Sequence, residues 1–236
     1  MKAIMKSLFG LTVLTFAILS QQSFGQNMFQ TYDMVVSDPA GVIAAMNKLQ
    51  SSSTGSASSA NVFLYQYLAN GESQATHSIL VVHSSIEEMN SNLARNAGSS
   101  DWTTFVSEVS QAAQIESEAI GQFLGVGGDP SAVLSPNRAG MVYQMSVTDP
   151  AAYASAWADF AAANADQGVS YLSALIADGN NPATHVAVNW ANSPGELLMN
   201  QPQSFSGWES FSQRVSGIRT IEATAMMQLI ATWAAE

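Results

Sequence analysis

The spacing of apolar and polar positions changes period several times along this chain, and the changes come twice in the same order. Phe29 to Val36 is rich in β-branched and aromatic residues and predicts a strand ending at Asp38-Pro39. Asp suits a helix N-cap and Pro the first helical position, so a helix is expected next. Val42, Ile43, Met46 and Leu49 recur there at helical spacing. Ser51 to Ser59 is polar and predicts a loop. Val62 to Ala69 and Thr76 to His83 predict two strands around Asn70-Gly71, a hairpin signal. Ser85 to Arg95 and the segment from Trp102 predict helices. Ile115 to Val126 predicts a last strand, although its Ala-containing pattern also suits a continued helix.

The second half repeats this order. Met141 to Val147 is a strand ending at Asp149-Pro150, and Tyr153, Ala156, Trp157 and Phe160 form a helical stripe. Ser170 to Ala177 and Thr184 to Trp190 flank Asp178-Gly179, a helix is expected from Trp208, and Ile221 to Trp233 closes the set. Particular residues recur as well. Tyr32-Asp33-Met34-Val35-Val36-Ser37-Asp38-Pro39-Ala40 returns 111 residues later as Tyr143-Gln144-Met145-Ser146-Val147-Thr148-Asp149-Pro150-Ala151. Ala75-Thr76-His77 returns as Ala183-Thr184-His185, and Trp102, Phe105 and Val109 return as Trp208, Phe211 and Val215.

Each copy therefore predicts β-α-β-β-α-β, the ferredoxin-like order. Residues 26–127 would form the first repeat, 128–138 a linker containing Pro130 and Pro136, and 139–236 the second repeat. A four-stranded sheet of this kind covers one face with helices and leaves the other bare. Two copies can cover each other, so the fold class expected is α+β, with two antiparallel sheets packed face to face about a pseudo-twofold. In element order and duplication the chain resembles the dimeric α+β barrel superfamily in its tandem-fused form. That superfamily includes cofactor-free monooxygenases, haem-degrading and haem-binding enzymes and small isomerases. No catalytic motif carries over residue by residue, and one fold serves many chemistries.

Strand alternation sorts the side chains by face. Tyr32, Met34 and Val36, with Tyr143, Met145 and Val147, should lie under the helices. The more polar faces are then expected to line the space between the sheets. Ligand-binding candidates on those faces are Asp33, Tyr65, Tyr67, His77, Gln144, Tyr171, His185 and Asn189. Phe63 and His83 are expected beside them, as are Glu116 with Gln122 and Glu222 with Gln228. Aromatic walls with a few convergent polar groups are the usual form of a small-molecule site. The other reading is a filled interior whose polar groups bond each other.

His77 and His185 are the catalytic candidates because an unperturbed imidazole titrates near ~6.5 and can act as general base. The alternative is that each opens a strand and satisfies backbone groups there. Two histidines with Asp33, Glu116 or Glu222 are residue types that bind metal. No HxH, HExxH or HxxxH spacing occurs, so neither a metal site nor a cofactor is expected. Trp102 and Trp208 are expected to anchor helix on sheet. Gly125-Val126-Gly127-Gly128 leads to no helix start and predicts part of the linker rather than a phosphate loop.

Residues 1–25 predict a secretory signal. Lys2 and Lys6 form a basic start, Ser7 to Ser20 an apolar run, and Ser23 and Gly25 a small-residue cleavage pattern. The run is shorter than the roughly 20 residues that span a bilayer. Cleavage, no stable membrane insertion afterwards, and a periplasmic or secreted location are therefore expected. Cysteine is absent, so stability must come from a core rather than disulfides. The net charge of −11, made more negative by loss of Lys2 and Lys6, repels phosphate backbones and argues against nucleic acid.

The fused copies satisfy each other's bare sheet, so a monomer is expected. The repeat looks equally kept in both halves, which favours a binding or structural module with a small uncharged or cationic ligand. The alternative is a cofactor-independent monooxygenase or related small-molecule enzyme in which His77 or His185 takes a proton. Whether the chain is an enzyme stays open at the level of sequence.

Overall fold

The Asp-Pro corners organise each half. In a computed structural model of the chain, which describes residues 27–134 and 138–234, strand β1 (Met28–Val36) ends one corner before α1 (Pro39–Gln50). The Asp38 carboxylate accepts from the Gly41 amide at 3.0 Å, taking up one of the orphan N–H groups of the helix start. Asp149 does the same for Ala152, also at 3.0 Å, between the strand that ends at Val147 and the helix that starts at Pro150. The expected leader at 1–25 lies outside the described residues, as do residues 135–137 of the expected linker.

The first half continues with a one-turn helix α2 (Ser53–Ser56), β2 (Asn61–Ala69), β3 (His77–His83), α3 (Ile86–Ala97), α4 (Ser100–Ala112) and β4 (Ala113–Gly127). A 3-10 turn over Pro130–Leu134 follows. The second half has β5 (Ala139–Val147), α5 (Pro150–Ala163), β6 (Val169–Ala177), β7 (His185–Ala191), α6 (Pro194–Met199), α7 (Trp208–Val215) and β8 (Arg219–Trp233). Both last segments are strands, not continued helices. Sequence reasoning placed only loop at 51–59. The turn of α2 forms there because the Ser52 hydroxyl caps Gly55, and Asp101 of α4 accepts from the Thr54 hydroxyl at 3.0 Å.

The eight strands form one closed antiparallel barrel in the order β1-β3-β2-β8-β5-β7-β6-β4. Each half contributes four neighbouring staves. The two sheets face each other across the interior and are joined by hydrogen-bonded ladders at both seams. One seam is β2 with β8, from Val62 opposite Trp233 to Ala69 opposite Met226. The other is β4 with β6, from Ile120 opposite Ala177 to Gly127 opposite Ser170. Closure leaves no sheet edge unpaired. Counterpart strands such as β1 and β5 lie four places apart in an all-antiparallel ring, so they point the same way along the barrel. The pseudo-twofold therefore runs down the barrel axis, and both halves send matched residues to the same end.

Outside the barrel, each half packs its helices on its own sheet. In the first half Met34, Val42, Met46, Leu49, Leu64, Ile79 and Phe105 form that layer. In the second, Met145, Tyr153, Trp157, Leu172, Phe211 and Val215 do. The helix-side placement of Tyr32, Met34, Val36, Tyr143, Met145 and Val147 agrees with the sequence pattern. Inside the barrel, Tyr65, Val169, Trp190, Met227 and Leu229 form a third layer. Among the described residues no helix is long and apolar enough to cross a membrane.

Candidate functional site

Three concave regions matter: the barrel interior and one cleft between sheet and helices in each half. The interior is plugged towards one end. Trp190 packs on Tyr65 at 5.3 Å between ring centroids, Tyr65 on Phe63 at 6.3 Å, and Tyr171 on Phe123 at 5.6 Å. Towards the other end a cavity of about 150 Å³ remains, lined among others by Asp33, Tyr65, Tyr67 and Gln144. The interior is thus partly filled and partly open. Tyr171 is an interior residue of the plug layer, where burial, then the charge of Asp129, push its phenol up to about 12. The Tyr67 hydroxyl donates to Asp33 at 2.9 Å; burial first, then the charge of Asp33, raise its pKa far above the ordinary range.

The histidines lie elsewhere. Ser78 and Leu80 of β3 line the interior cavity, so His77, Ile79, Val81 and His83 face the helices. Val186 and Val188 of β7 line it too, so His185 and Ala187 face out, and Asn189 opens on the outer cleft of the second half. The expected interior placement of His77, His185, His83 and Asn189 is therefore corrected. In a barrel wrapped by helices both faces of a strand are buried, and the polar face need not be the inner one. Glu116 and Glu222 are corrected as well. Asp33 pairs with Ser117 but Met34 with Ile115, so Glu116 is the extra residue of a bulge; Glu222 is the same at Gln144 and Met145. Both are exposed, Glu116 accepting from the Gln74 amide at 3.1 Å and Glu222 from the Ser146 hydroxyl at 2.6 Å. Gln122 and Gln228 alternate with Phe123 and Met227, which line the cavity, and so share the outward face.

What the Thr-His pairs do is the same in both halves. The Val36 amide donates to the Thr76 hydroxyl oxygen at 2.9 Å, and that hydroxyl lies 2.9 Å from Nδ1 of His77. Val147, Thr184 and His185 repeat this at 3.0 and 2.9 Å. Each hydroxyl also donates to the carbonyl oxygen of Met34 or Met145 at 3.4 Å, and burial lowers the pKa of both histidines. The pairs clip the strand end that precedes each Asp-Pro corner.

Stability follows with a definite sign. The folded rings resist protonation while the unfolded ones take a proton near ~6.5. The unfolded chain binds more protons between the folded pKa and that value, so stability falls as pH drops through this window. Urea midpoints measured from pH 8 down to pH 5 should decline below about pH 6.5. Ring signals of His77 and His185 followed by NMR should titrate below the ordinary range; titration above it would refute the clip.

The outer clefts are matched in position but not in content. The first-half cleft has a volume of about 730 Å³ and lies under α1, α3 and α4. Its walls include Met34, Met46, Leu49, Ile79, Trp102 and Phe105, and Gln30, Gln50, Thr54, Asn92, Asn96 and Gln114 are among its polar groups. No Asp, Glu, Lys, Arg or His lines it. The second-half cleft holds about 300 Å³. There Trp157 and Phe160 stand where the first half has Met46 and Leu49. Phe160 stacks on Phe211 at 4.8 Å and meets Trp208 at 6.0 Å, and Arg219 reaches over the Phe211 ring at 5.5 Å. The impression that both halves are equally kept is thus corrected: the backbone repeat is kept, the side-chain filling is not. Sequence reasoning missed the first-half cleft, although the aligned set Val42, Met46, Leu49 against Tyr153, Trp157, Phe160 carried the signal.

An eight-stranded barrel closed from two ferredoxin-like halves, with helices outside, defines the class: the chain has the dimeric α+β barrel fold in tandem-fused form. Solved structures agree. A proposed monooxygenase from Lactobacillus acidophilus superposes with a TM-score of 0.60 at 9% identity, over 89% of this chain and 97% of that one. A proposed monooxygenase from Fusobacterium nucleatum gives 0.58 at 12% identity, over 89% and 95%. A heme-binding protein from Thermus thermophilus gives 0.51 at 10% identity, over 88% and 92%. No family model and no curated protein matches the chain. At these identities the likeness concerns the fold.

Proposed function

We propose that the chain is an exported, monomeric binding module whose first half takes up a small, uncharged, largely apolar molecule between its sheet and α1, α3 and α4. One observation carries this reading: the 730 Å³ cleft lined without a charged residue, where the matched cleft is narrowed by aromatic side chains to about 300 Å³ and is lined by Arg219. Its volume lies within the range of drug-sized ligand pockets, about 300–1,000 Å³. A sealed void that large would cost on the order of 15 kcal/mol by cavity scaling, more than a domain's whole stability of about 5–15 kcal/mol. The cleft is therefore filled by water or by a ligand, and release of water from its apolar walls supplies the driving force. Gln30, Asn92 and Asn96 orient the ligand by hydrogen bonding.

Helix α3 suits a cover. Among its residues only Met89 is buried, and the Arg95 guanidinium donates to Asn92 at 2.8 Å, holding that amide at the cleft. The matching position in the second half carries only the short α6.

The monooxygenase-like alternative requires a barrel-lining His as proton acceptor, and neither His77 nor His185 lines the interior or a cleft. Haem does not fit either. No His lines the clefts, the chain has no Cys, and burial raises the pKa of the phenols that line them, Tyr32 in the first and Tyr143 and Tyr153 in the second, keeping them protonated and poor iron ligands.

Titration with the neutral fluorescent probe N-phenyl-1-naphthylamine tests the reading. Saturable binding of one equivalent with a blue shift is expected. Failure to saturate in the micromolar range would refute an apolar site.

A further inference from the structure

The interior cavity calls for a different ligand. Its inner wall is apolar, formed by Phe29, Leu80, Phe123, Val142, Val188 and Met227. At its polar end stand two carboxylates, Asp33 from β1 of the first half and Asp178 from the turn after β6 of the second, and no Lys, Arg or His lines it. We propose that this cavity binds a small organic ammonium ion, with its head between Asp33 and Asp178 and its apolar tail against Phe29 and Phe123.

The hydrogen bonds at the polar end leave carboxylate oxygens free to accept from a donor. The Tyr67 hydroxyl donates to Asp33 Oδ1 at 2.9 Å, and the Ser117 hydroxyl to Oδ2 at 3.3 Å. The Asn181 amide donates to Gln144 Oε1 at 3.1 Å and to Asp178 Oδ2 at 2.6 Å. These donors are therefore already engaged, while each carboxylate oxygen keeps acceptor capacity, since an ionised carboxylate offers about four lone-pair sites. An anion is excluded by charge. A metal ion is poorly served: among the described residues no group of three or more His, Cys, Asp or Glu comes together.

A neutral ligand would leave two like charges facing one low-dielectric space. Burial, and then the charge of Asp33, hold the Asp178 carboxyl above its usual range. The ion pairs among the described residues, Lys48 with Glu108 and Arg214 with Asp159, lie on the outer helices and do not involve either Asp. An ammonium ion answers all of this. It donates to both carboxylates and places its tail on aromatic walls that also attract cations. The volume of about 150 Å³ limits it to a free amine of roughly ten heavy atoms.

Isothermal titration of the whole purified chain with 2-phenylethylammonium and with its neutral counterpart 2-phenylethanol provides the test. The ammonium ion should bind at least tenfold more tightly than the alcohol, and added salt should weaken it. Asp33→Asn and Asp178→Asn should each cost at least tenfold for the ammonium ion and leave the alcohol unchanged. Both substitutions keep an acceptor oxygen for Tyr67 or Asn181, and circular dichroism reports whether the fold is kept; the two-probe comparison on the unmodified chain needs no variant. Equal affinity of the two probes, no ammonium binding at millimolar concentration, or unchanged affinity in both Asn variants would each overturn the proposal. A heat signal that survives both Asn changes but vanishes on Met46→Trp belongs to the outer cleft and counts against it as well.

Discussion

Met46→Trp combined with Leu49→Phe should close the first-half cleft and abolish binding of a neutral apolar probe, with the fold intact. The two substitutions copy Trp157 and Phe160, which occupy the same places on α5. In the second half Phe160 sits against Trp208 and Phe211, 4.8 Å from the latter, and Trp157 lies over Gly125 of β4. The first half already has the matching partners, Trp102 and Phe105, 5.1 Å apart. The ring introduced by Leu49→Phe therefore meets aromatic surface of the kind its counterpart packs against. The larger side chains bury apolar area that water now wets, worth about 25 cal/mol per Å². The melting temperature should hold or rise, whereas affinity for N-phenyl-1-naphthylamine should fall at least about tenfold, equivalent to ~1.4 kcal/mol. A fluorescence titration alongside circular dichroism checks both. The reverse pair, Trp157→Met with Phe160→Leu, should open a second site and raise the stoichiometry towards two. Undiminished binding in the filled variant would place the ligand elsewhere.

Gly128→Ala should destabilise the chain strongly, and Gly71→Ala should not. Gly128 follows β4 with φ of 78°, a conformation that costs an L-residue about 1–2 kcal/mol. A Cβ there would also stand 2.1 Å from the carbonyl oxygen of Gly168 and 3.1 Å from that of Ala165. Both obstacles are backbone, and they belong to the loop between α5 and β6, which cannot yield without moving a stave of the barrel. Overpacking of this kind adds about 1–3 kcal/mol, so a total of about 2–5 kcal/mol is expected. For a chain of this size that lowers the melting temperature by roughly 4–20 °C. Gly71 has a similar φ of 67° but nothing within 4 Å of the added atom. Its substitution carries only the conformational cost, about 1 kcal/mol. Thermal melts of the two variants separate the terms. Equal shifts would mean that the contact with Gly168 relaxes at little cost.

Much of the architecture is visible in the chain because it depends on local rules stated twice. The Asp-Pro corners cap helices through their own carboxylates. The alternation of β1 and β5 sends Tyr32, Met34, Tyr143 and Met145 beneath the helices, as read from the pattern. The interior placement of Asp33, Gln144, Tyr65, Tyr67 and Tyr171 followed from the same alternation. The rule failed on β3 and β7. There the inner row, Val186, Val188 and Trp190, is the more apolar one, while His77 and His185 lie outside and are satisfied by Thr76 and Thr184. Polarity tells inside from outside only when one face meets water, and here helices cover the outer face.

The amino-acid sequence by itself determines the duplication, the order of elements in each copy, the helix starts and the absence of disulfides, because each depends on neighbours within a few residues or on composition. Only the tertiary structure decides that the two sheets join at both seams into one barrel, since ladder pairing between β2 and β8 leaves no local mark. The bulges that turn Glu116 and Glu222 outward arise from a register shift between strands distant in sequence. The asymmetry of the two clefts, and the meeting of Asp33 with Asp178 at one end of the interior, likewise depend on which side chains close space brings together.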